Sequence, residues 1–276
     1  MPSSLAGLKI IIRGAGEMAT GTACRLYSSG FRKLLMTEID KPLTVRRMVS
    51  FSEALHEGNW SVEGVEAVQI QALDQVAKIW QEQRIPIFVD PAASSKAIFN
   101  PDVLVDAILA KKNVGTTMND APLVIAFGPG FCAGRDAHCV VETNRGHDLG
   151  RLIFQGEAAP DTGTPGEIQG HSILRVLRSP ADGIFESDQH IGTLVEEGEL
   201  IGRVAGQPVR ASLNGVIRGL IRPGTPVSRR LKIGDIDPRG NPSYCNTISE
   251  KARAIGGTAL EAILRRFNVP NTTDPA

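Results

Sequence analysis

The chain has 276 residues, 42% of them hydrophobic, and its 30 basic residues balance its 30 acidic ones. That is enough for one large domain or two ordinary ones, and zero net charge gives no reason to expect nucleic acid or an anionic membrane as partner. No apolar run approaches the roughly 18 residues of a membrane-spanning helix. The scattered cysteines Cys24, Cys132, Cys139 and Cys245 form no disulfide framework. The opening stretch MPSSLAGLKI lacks the charged-then-apolar layout of a signal peptide, so a cytoplasmic protein is expected.

Leu8 to Ile12 is a continuous apolar run, the mark of a strand buried on both faces. A glycine turn follows, Gly14-Ala15-Gly16-Glu17-Met18-Ala19, and then Ala19, Ala23, Leu26 and Tyr27 at helical spacing. Leu34 to Met36 is a second strand, ending at Glu38. Leu43 to Leu55 and Leu73 to Gln83 read as helices. Val65 to Ile70, Pro86 to Val89, Val103 to Val105 and Leu123 to Phe127 read as strands. Such alternation predicts α/β architecture, a Rossmann-like, mostly parallel sheet with helices on both faces.

In that setting the glycine turn has a phosphate-cradling look. Gly14 permits the tight turn, Gly16 lets a pyrophosphate approach the backbone, and Ala19 allows close helix–strand packing. Glu17 and Met18 open the helix; an acid there suits the helix dipole and can point away from a ligand. Glu38, at the end of the second strand, stands where a carboxylate would accept a ribose hydroxyl and repel the 2′-phosphate of NADP. NAD is the cofactor this pattern predicts. The same turn would also serve as a plain strand-to-helix connection.

Gly128-Pro129-Gly130 follows a predicted strand at the end where open α/β sheets bind ligands. Ala137 to Thr143 and Leu149 to Phe154 read as a hairpin around Asn144–His147. The expected ligand site joins the opening turn to Gly128, Gly130 and Arg135. Asp120 and Asp136 are candidate acid/base groups, Cys132 a candidate thiol nucleophile, and Arg135 or Arg145 a partner for an anionic group such as a cofactor phosphate. Local salt bridges and turn chemistry would explain the same residues. The spacing of Cys132, His138, Cys139 and His147 matches no common zinc pattern, and no metal site is expected.

The second half repeats itself: SPADGIF at Ser179 and ASLNGVI at Ala211, a period of about 32 residues. This resembles the barrel-sandwich fold of biotinyl and lipoyl carrier domains. The hairpin where a carrier bears its modified lysine would fall at Ala205–Pro208, which has none; Lys232 is the only lysine between Ser179 and Gly240. A carrier role is therefore not expected. Ser249 to Phe267 reads as a helix with Ala252, Ile255, Ala259 and Ile263 on one face, and the tail NVPNTTDPA as frayed. The expected division is a Rossmann-like dinucleotide-binding domain over 1–135, a β-rich domain over 136–245 with the repeat at about 179–240, and a C-terminal helix and tail over 246–276.

Several long motifs in one order, IIRGAGEMATGTACRLYSSGF, MTEIDKPLTVRRMVSFSEAL, FGPGFCAGRDAHCVVETNRGHDLGR, LKIGDIDPRG and ISEKARAIGG, resemble the YqeB-type accessory proteins of selenium-dependent molybdenum hydroxylase systems. A looser likeness runs to molybdenum cofactor insertion proteins of the xanthine dehydrogenase system. The resemblance implies a cytoplasmic accessory protein in maturation of a molybdenum hydroxylase, with that enzyme or its machinery as partner and the molybdenum cofactor or its nucleotide form as cargo. It names a pathway and no reaction, so whether the chain is an enzyme stays open. An NAD-dependent oxidoreductase and a non-catalytic scaffold are the alternatives. Against the former stand only two tyrosines, Tyr27 and Tyr244, and no Tyr-x-x-x-Lys pair. Oligomeric state is open, with a homo-oligomer one expectation.

Overall fold

The computed structural model describes residues 4–164 and 166–268. The expected frayed tail beyond Asn268 lies outside the described residues. Strands β1 (Lys9–Arg13), β2 (Lys33–Glu38), β3 (Asn59–Val62), β4 (Val65–Ile70), β5 (Ile85–Val89), β6 (Val103–Asp106) and β7 (Leu123–Phe127) come from the first half. After a short β8 (Cys132–Ala133), strands β9 (Cys139–Val141) and β10 (Leu152–Ile153) complete a nine-stranded sheet ordered β10-β9-β7-β6-β1-β2-β5-β4-β3. The interior pairings are parallel and the two edge strands, β3 and β10, are antiparallel.

The apolar runs explain this layer. Alternate residues point to opposite faces of a strand. Ile10, Ile12, Leu34, Met36, Val103 and Val105 face one core, while Ile11, Leu35 and Leu104 face the other. Helix α1 (Glu17–Ser28) covers the first face. Of the short helices α2 (Ala54–Glu57), α3 (Val76–Gln81) and α4 (Lys96–Phe99), α3 covers the second with Val76 and Ile79. Leu43–Leu55, read as one helix, is instead an irregular strap with two 3-10 turns, Arg47–Val49 and Phe51–Glu53, before α2. Its backbone is claimed from outside: the Leu220 amide donates to the Val45 carbonyl at 2.8 Å. A backbone oxygen paired with a distant strand cannot also close a helical turn.

The second half begins with β11 (Gly156–Glu157), which pairs with β8. Then follow β12 (Val176–Arg178), β13 (Gly183–Glu186), β14 (Leu194–Val195), β15 (Leu200–Val204), β16 (Gln207–Arg210), β17 (Gly215–Leu220), β18 (Pro226–Val227) and β19 (Lys232–Asp237). They form two four-stranded antiparallel sheets, β12-β19-β17-β14 and β16-β15-β13-β18, around a separate core that includes Phe185, Ile217 and Ile236. The chain closes with α5 (Glu250–Phe267), capped by the Ser249 hydroxyl accepting from the Ala252 amide at 3.3 Å. Helix α5 returns to the first half and packs on α1, with Ile255, Ala259 and Ile263 fully buried there.

The Rossmann-plus-carrier expectation is corrected to a mixed α/β architecture of several sheets. In the usual dinucleotide-binding order three successive strands lie side by side on one flank. Here β5 is inserted between β2 and β4, and an antiparallel strand closes each edge. The sequence repeat does not give two equivalent halves of a barrel-sandwich either. The first copy, β13, buries only Phe185 of its four residues, while the second, β17, is buried throughout and is clamped to the first half by Val45 and Arg47.

Candidate functional site: a basic cleft between the halves

At the opening turn, Gly14 is required: its φ is +95°, and a Cβ would lie 3.1 Å from the Ala107 carbonyl oxygen. Gly16 is the α1 N-cap, with φ −69°. Glu38 does not face a ligand. One carboxylate oxygen accepts from the Ala15 amide at 2.8 Å and the other from the Ile39 amide at 2.8 Å, so the side chain folds over the turn itself. Burial pushes the Glu38 carboxyl up, against the pull of those two amides. The cavity beside it is about 30 Å3, on the scale of a single water. This, with the strand order, withdraws the NAD-binding reading. Glu17 accepts from Arg46 at 3.5 Å and from the Ser249 amide at 3.2 Å, so it fastens α5 to α1. Met18 is half-buried and Ala19 fully buried in the core.

The predicted loop residues scatter. Asp120 pairs with Lys96 at 2.7 Å and caps the Thr117 turn. Asp136 binds Arg135 at 2.9 Å and accepts from the Cys132 amide at 2.8 Å. Cys132 is half-buried on β8, whereas Cys24 and Cys139 are buried and their thiols pushed up to about 12 by that burial. Among the described residues no group of His, Cys, Asp and Glu side chains could hold a metal ion.

Gly128 and Gly130 have a different use from the one expected. Gly128 has φ +76°, and a Cβ would meet the Thr143 hydroxyl at 2.5 Å; at Gly130, φ +101°, a Cβ would meet the Lys112 nitrogen at 2.6 Å. Only glycine lets the β6, β7 and β9 loops close up there. The three loops leave the same edge of the sheet because their strands are parallel. Buried Glu142 holds the next segment in place, accepting from the Asn144 amide at 2.6 Å and the Ala159 amide at 2.7 Å.

These loops wall a cleft of about 350 Å3. Its other side comes from Val176, Arg178 and Lys232 of the second half and from Lys251 in the first turn of α5. Five cationic side chains line it, Lys111, Arg145, Arg178, Lys232 and Lys251, against one acid, Asp161. Lys111 pairs with Asp161 at 2.6 Å, and Arg145 with Glu250. Neither the Lys232 nor the Lys251 ammonium has a hydrogen-bond partner among the described residues, and Lys232 comes only within 3.7 Å of Asp235. Of the residues singled out from sequence, the cleft collects Pro129, Asn144, Arg145 and Lys232. It leaves out Gly14, Glu38, Asp120, Cys132, Arg135 and Asp136.

Fold and site together define an α/β protein with a basic cleft between its sheets. No family model matches the chain. It is 47% identical over 255 residues to "Uncharacterized protein YqeB" of Escherichia coli strain K12, covering 92% of this chain and 47% of that protein. The chain thus spans about half the length of the curated relative it matches. That relative supports the likeness to YqeB and does not touch the link to molybdenum hydroxylases. Solved structures with some likeness include product-bound EutE (DoeB), an ectoine utilization protein of Ruegeria pomeroyi, 12% identical over 82% of this chain and 56% of that one, TM-score 0.23. A succinylglutamate desuccinylase from a Silicibacter species is 14% identical over 83% and 84%, TM-score 0.24. An aspartoacylase family protein from Mesorhizobium loti is 12% identical over 73% and 56%, TM-score 0.23. Among the described residues no helix is long and apolar enough to cross a membrane.

Proposed function

We propose that the chain is a small-molecule-binding accessory protein that holds an anionic ligand in the cleft between its two halves. The charge imbalance of the cleft supports this: five cations face one acid in about 350 Å3. Converging like charges are unfavourable unless an anion joins them, and ligand sites gather a few polar groups in a concave, otherwise apolar wall, here Leu109, Pro129 and Val176. The resemblance to accessory proteins of molybdenum hydroxylase systems fits a role in maturation, with a cofactor or its nucleotide form as cargo and a cofactor phosphate as the group that cations would hold.

The test is mass spectrometry of small molecules released from the chain purified out of its own host. An anionic molecule should accompany the native chain, and Arg178→Glu should reduce its yield about tenfold, since turning an attractive charge into a repulsive one beside a bound anion is worth about 1.4 kcal/mol. Recovery of only neutral molecules, or equal yield from the variant, contradicts the reading.

A further inference from the structure

Resting on the reading of the cleft as the ligand site, we propose that Lys232 and Lys251, with Arg145 beside them, form a subsite for a phosphate-type dianion, so that the ligand is a phosphorylated small molecule. The argument begins with partners. Asp235 is the nearest carboxylate to Lys232, but its two oxygens are already taken, one by Arg175 at 3.0 Å and the other by Arg218 at 2.8 Å. Lys232 is therefore a third cation around one carboxylate, held there only by a long ion pair of 3.7 Å.

Lys251 is worse placed. It sits in the first turn of α5, where the helix dipole favours acids over bases. Its neighbour Glu250 does suit that position, but Glu250 is paired with Arg145. No carboxylate lies within ion-pair distance of Lys251 among the described residues. Burial pushes the Lys251 amine down first, and the Arg145 and Lys232 charges push it further. Lys232 is likewise pushed down by burial, with the Arg218 and Arg175 charges adding to the effect against Asp235. Two ammoniums that repel each other and line one cleft are an electrostatic conflict within the folded chain. Conflicts of that kind mark sites completed by a ligand.

The ligand's class follows from the walls. Among the described residues no aromatic side chain lines the cleft, so the cleft would hold the phosphate end of such a ligand rather than stack a base or pterin ring. A carboxylate needs one cationic partner; two ammoniums and a guanidinium lining one cleft suit a group with three oxygens and two charges. The volume leaves room for a modest organic portion against Leu109, Pro129 and Val176.

Calorimetric titration of the full chain with inorganic pyrophosphate at constant ionic strength, with chloride as the control anion, decides the matter. Saturable binding is expected. Lys232→Gln and Lys251→Gln should each weaken it about tenfold or more, as loss of one charge-assisted contact does, while Lys41→Gln at an exposed distant site should not. Binding an anion raises the lysine pKa values, so the complex takes up protons and affinity should fall as rising pH deprotonates the two amines, which burial pushes down while Asp235, Glu17 and Glu142 pull the other way. Thermal unfolding separates a binding role from a structural one. Lys251→Gln removes a cation from a helix N-terminus, so its unfolding temperature should hold or rise even as binding is lost. Pyrophosphate binding that is unchanged in both variants overturns the subsite. If pyrophosphate does not bind while an anionic ligand without phosphate is recovered from the native host, the phosphate class falls and the cleft reading stands. If neither binds, both fall.

Discussion

Asp235→Ala is expected to destabilise the chain by about 4 kcal/mol, the scale of breaking a buried ion pair by deleting one partner. Asp235 is 1% exposed and receives Arg175 at 3.0 Å and Arg218 at 2.7 Å. Both guanidiniums are themselves largely buried, so removing the carboxylate leaves Arg175 without a carboxylate partner and Arg218 with only Asp237 at 3.5 Å. Arg175 also donates to the Gly166 carbonyl at 2.8 Å, so the loss reaches the loop that walls the cleft. Urea denaturation of native and variant chains measures it, and a loss under about 1 kcal/mol would show that the cluster relaxes freely.

The same group sets a pH dependence. Burial alone would raise the Asp235 carboxyl, but the Lys232, Arg218 and Arg175 charges outweigh it and hold it below the ordinary 3.8. A depressed carboxylate contributes stability that is fully present above its unfolded value and is lost as pH falls through its folded value. The native chain should therefore lose stability on acidification below about pH 4. Asp235→Asn should flatten that limb.

Two adjacent glycines should respond with opposite signs. Gly256 lies on the α1–α5 seam, where an added Cβ would sit 3.0 Å from the Gly21 carbonyl oxygen and 3.1 Å from the Thr22 Cα, both backbone atoms that cannot swing aside. Gly257, one residue on, would place its Cβ in open space. Gly257→Ala should stabilise the chain by about 1 kcal/mol through helix propensity alone. Gly256→Ala gains the same propensity but must push α1 and α5 apart, and the larger Gly256→Leu should lose about 3 kcal/mol by overpacking. The reciprocal site agrees: a Cβ on Gly21 would meet the Ala252 Cβ at 2.8 Å. Equal effects at Gly256 and Gly257 would mean that the seam is looser than these distances indicate.

The strands of the first half were legible because each is short, apolar and buried on both faces, as at Ile10–Ile12 and Val103–Val105. The α5 helix was legible from its Ser249 cap and its Ala252–Ile263 stripe. The order of the strands was not, because β5 passes between β2 and β4 without leaving a local trace. Glu38 misled for a related reason. Its position after the second strand suits a ribose contact, but the amides of Ala15 and Ile39, which decide its role, are set by the turn's geometry.

The cleft was hardest to read. Its cations stand at 111, 145, 178, 232 and 251, on two loops, two strands and a helix that meet only in the folded chain. Lys232 stood out in sequence as the lone lysine of the repeat, and Arg145 as a partner for an anionic group, yet nothing in the sequence joined either of them to the other or to Lys251. A signal did exist at Lys251, a cation in the first turn of a capped helix, where an acid is favoured.

A crystal structure of the chain purified from its own host, with no anion added, tests the central claim most directly. The account predicts density for a bound small molecule in the cleft, within hydrogen-bond reach of Arg145, Lys232 and Lys251. An organic molecule seated instead at the Gly14–Ala19 turn, with Glu38 swung off the Ala15 amide and the cleft holding only water, would contradict it.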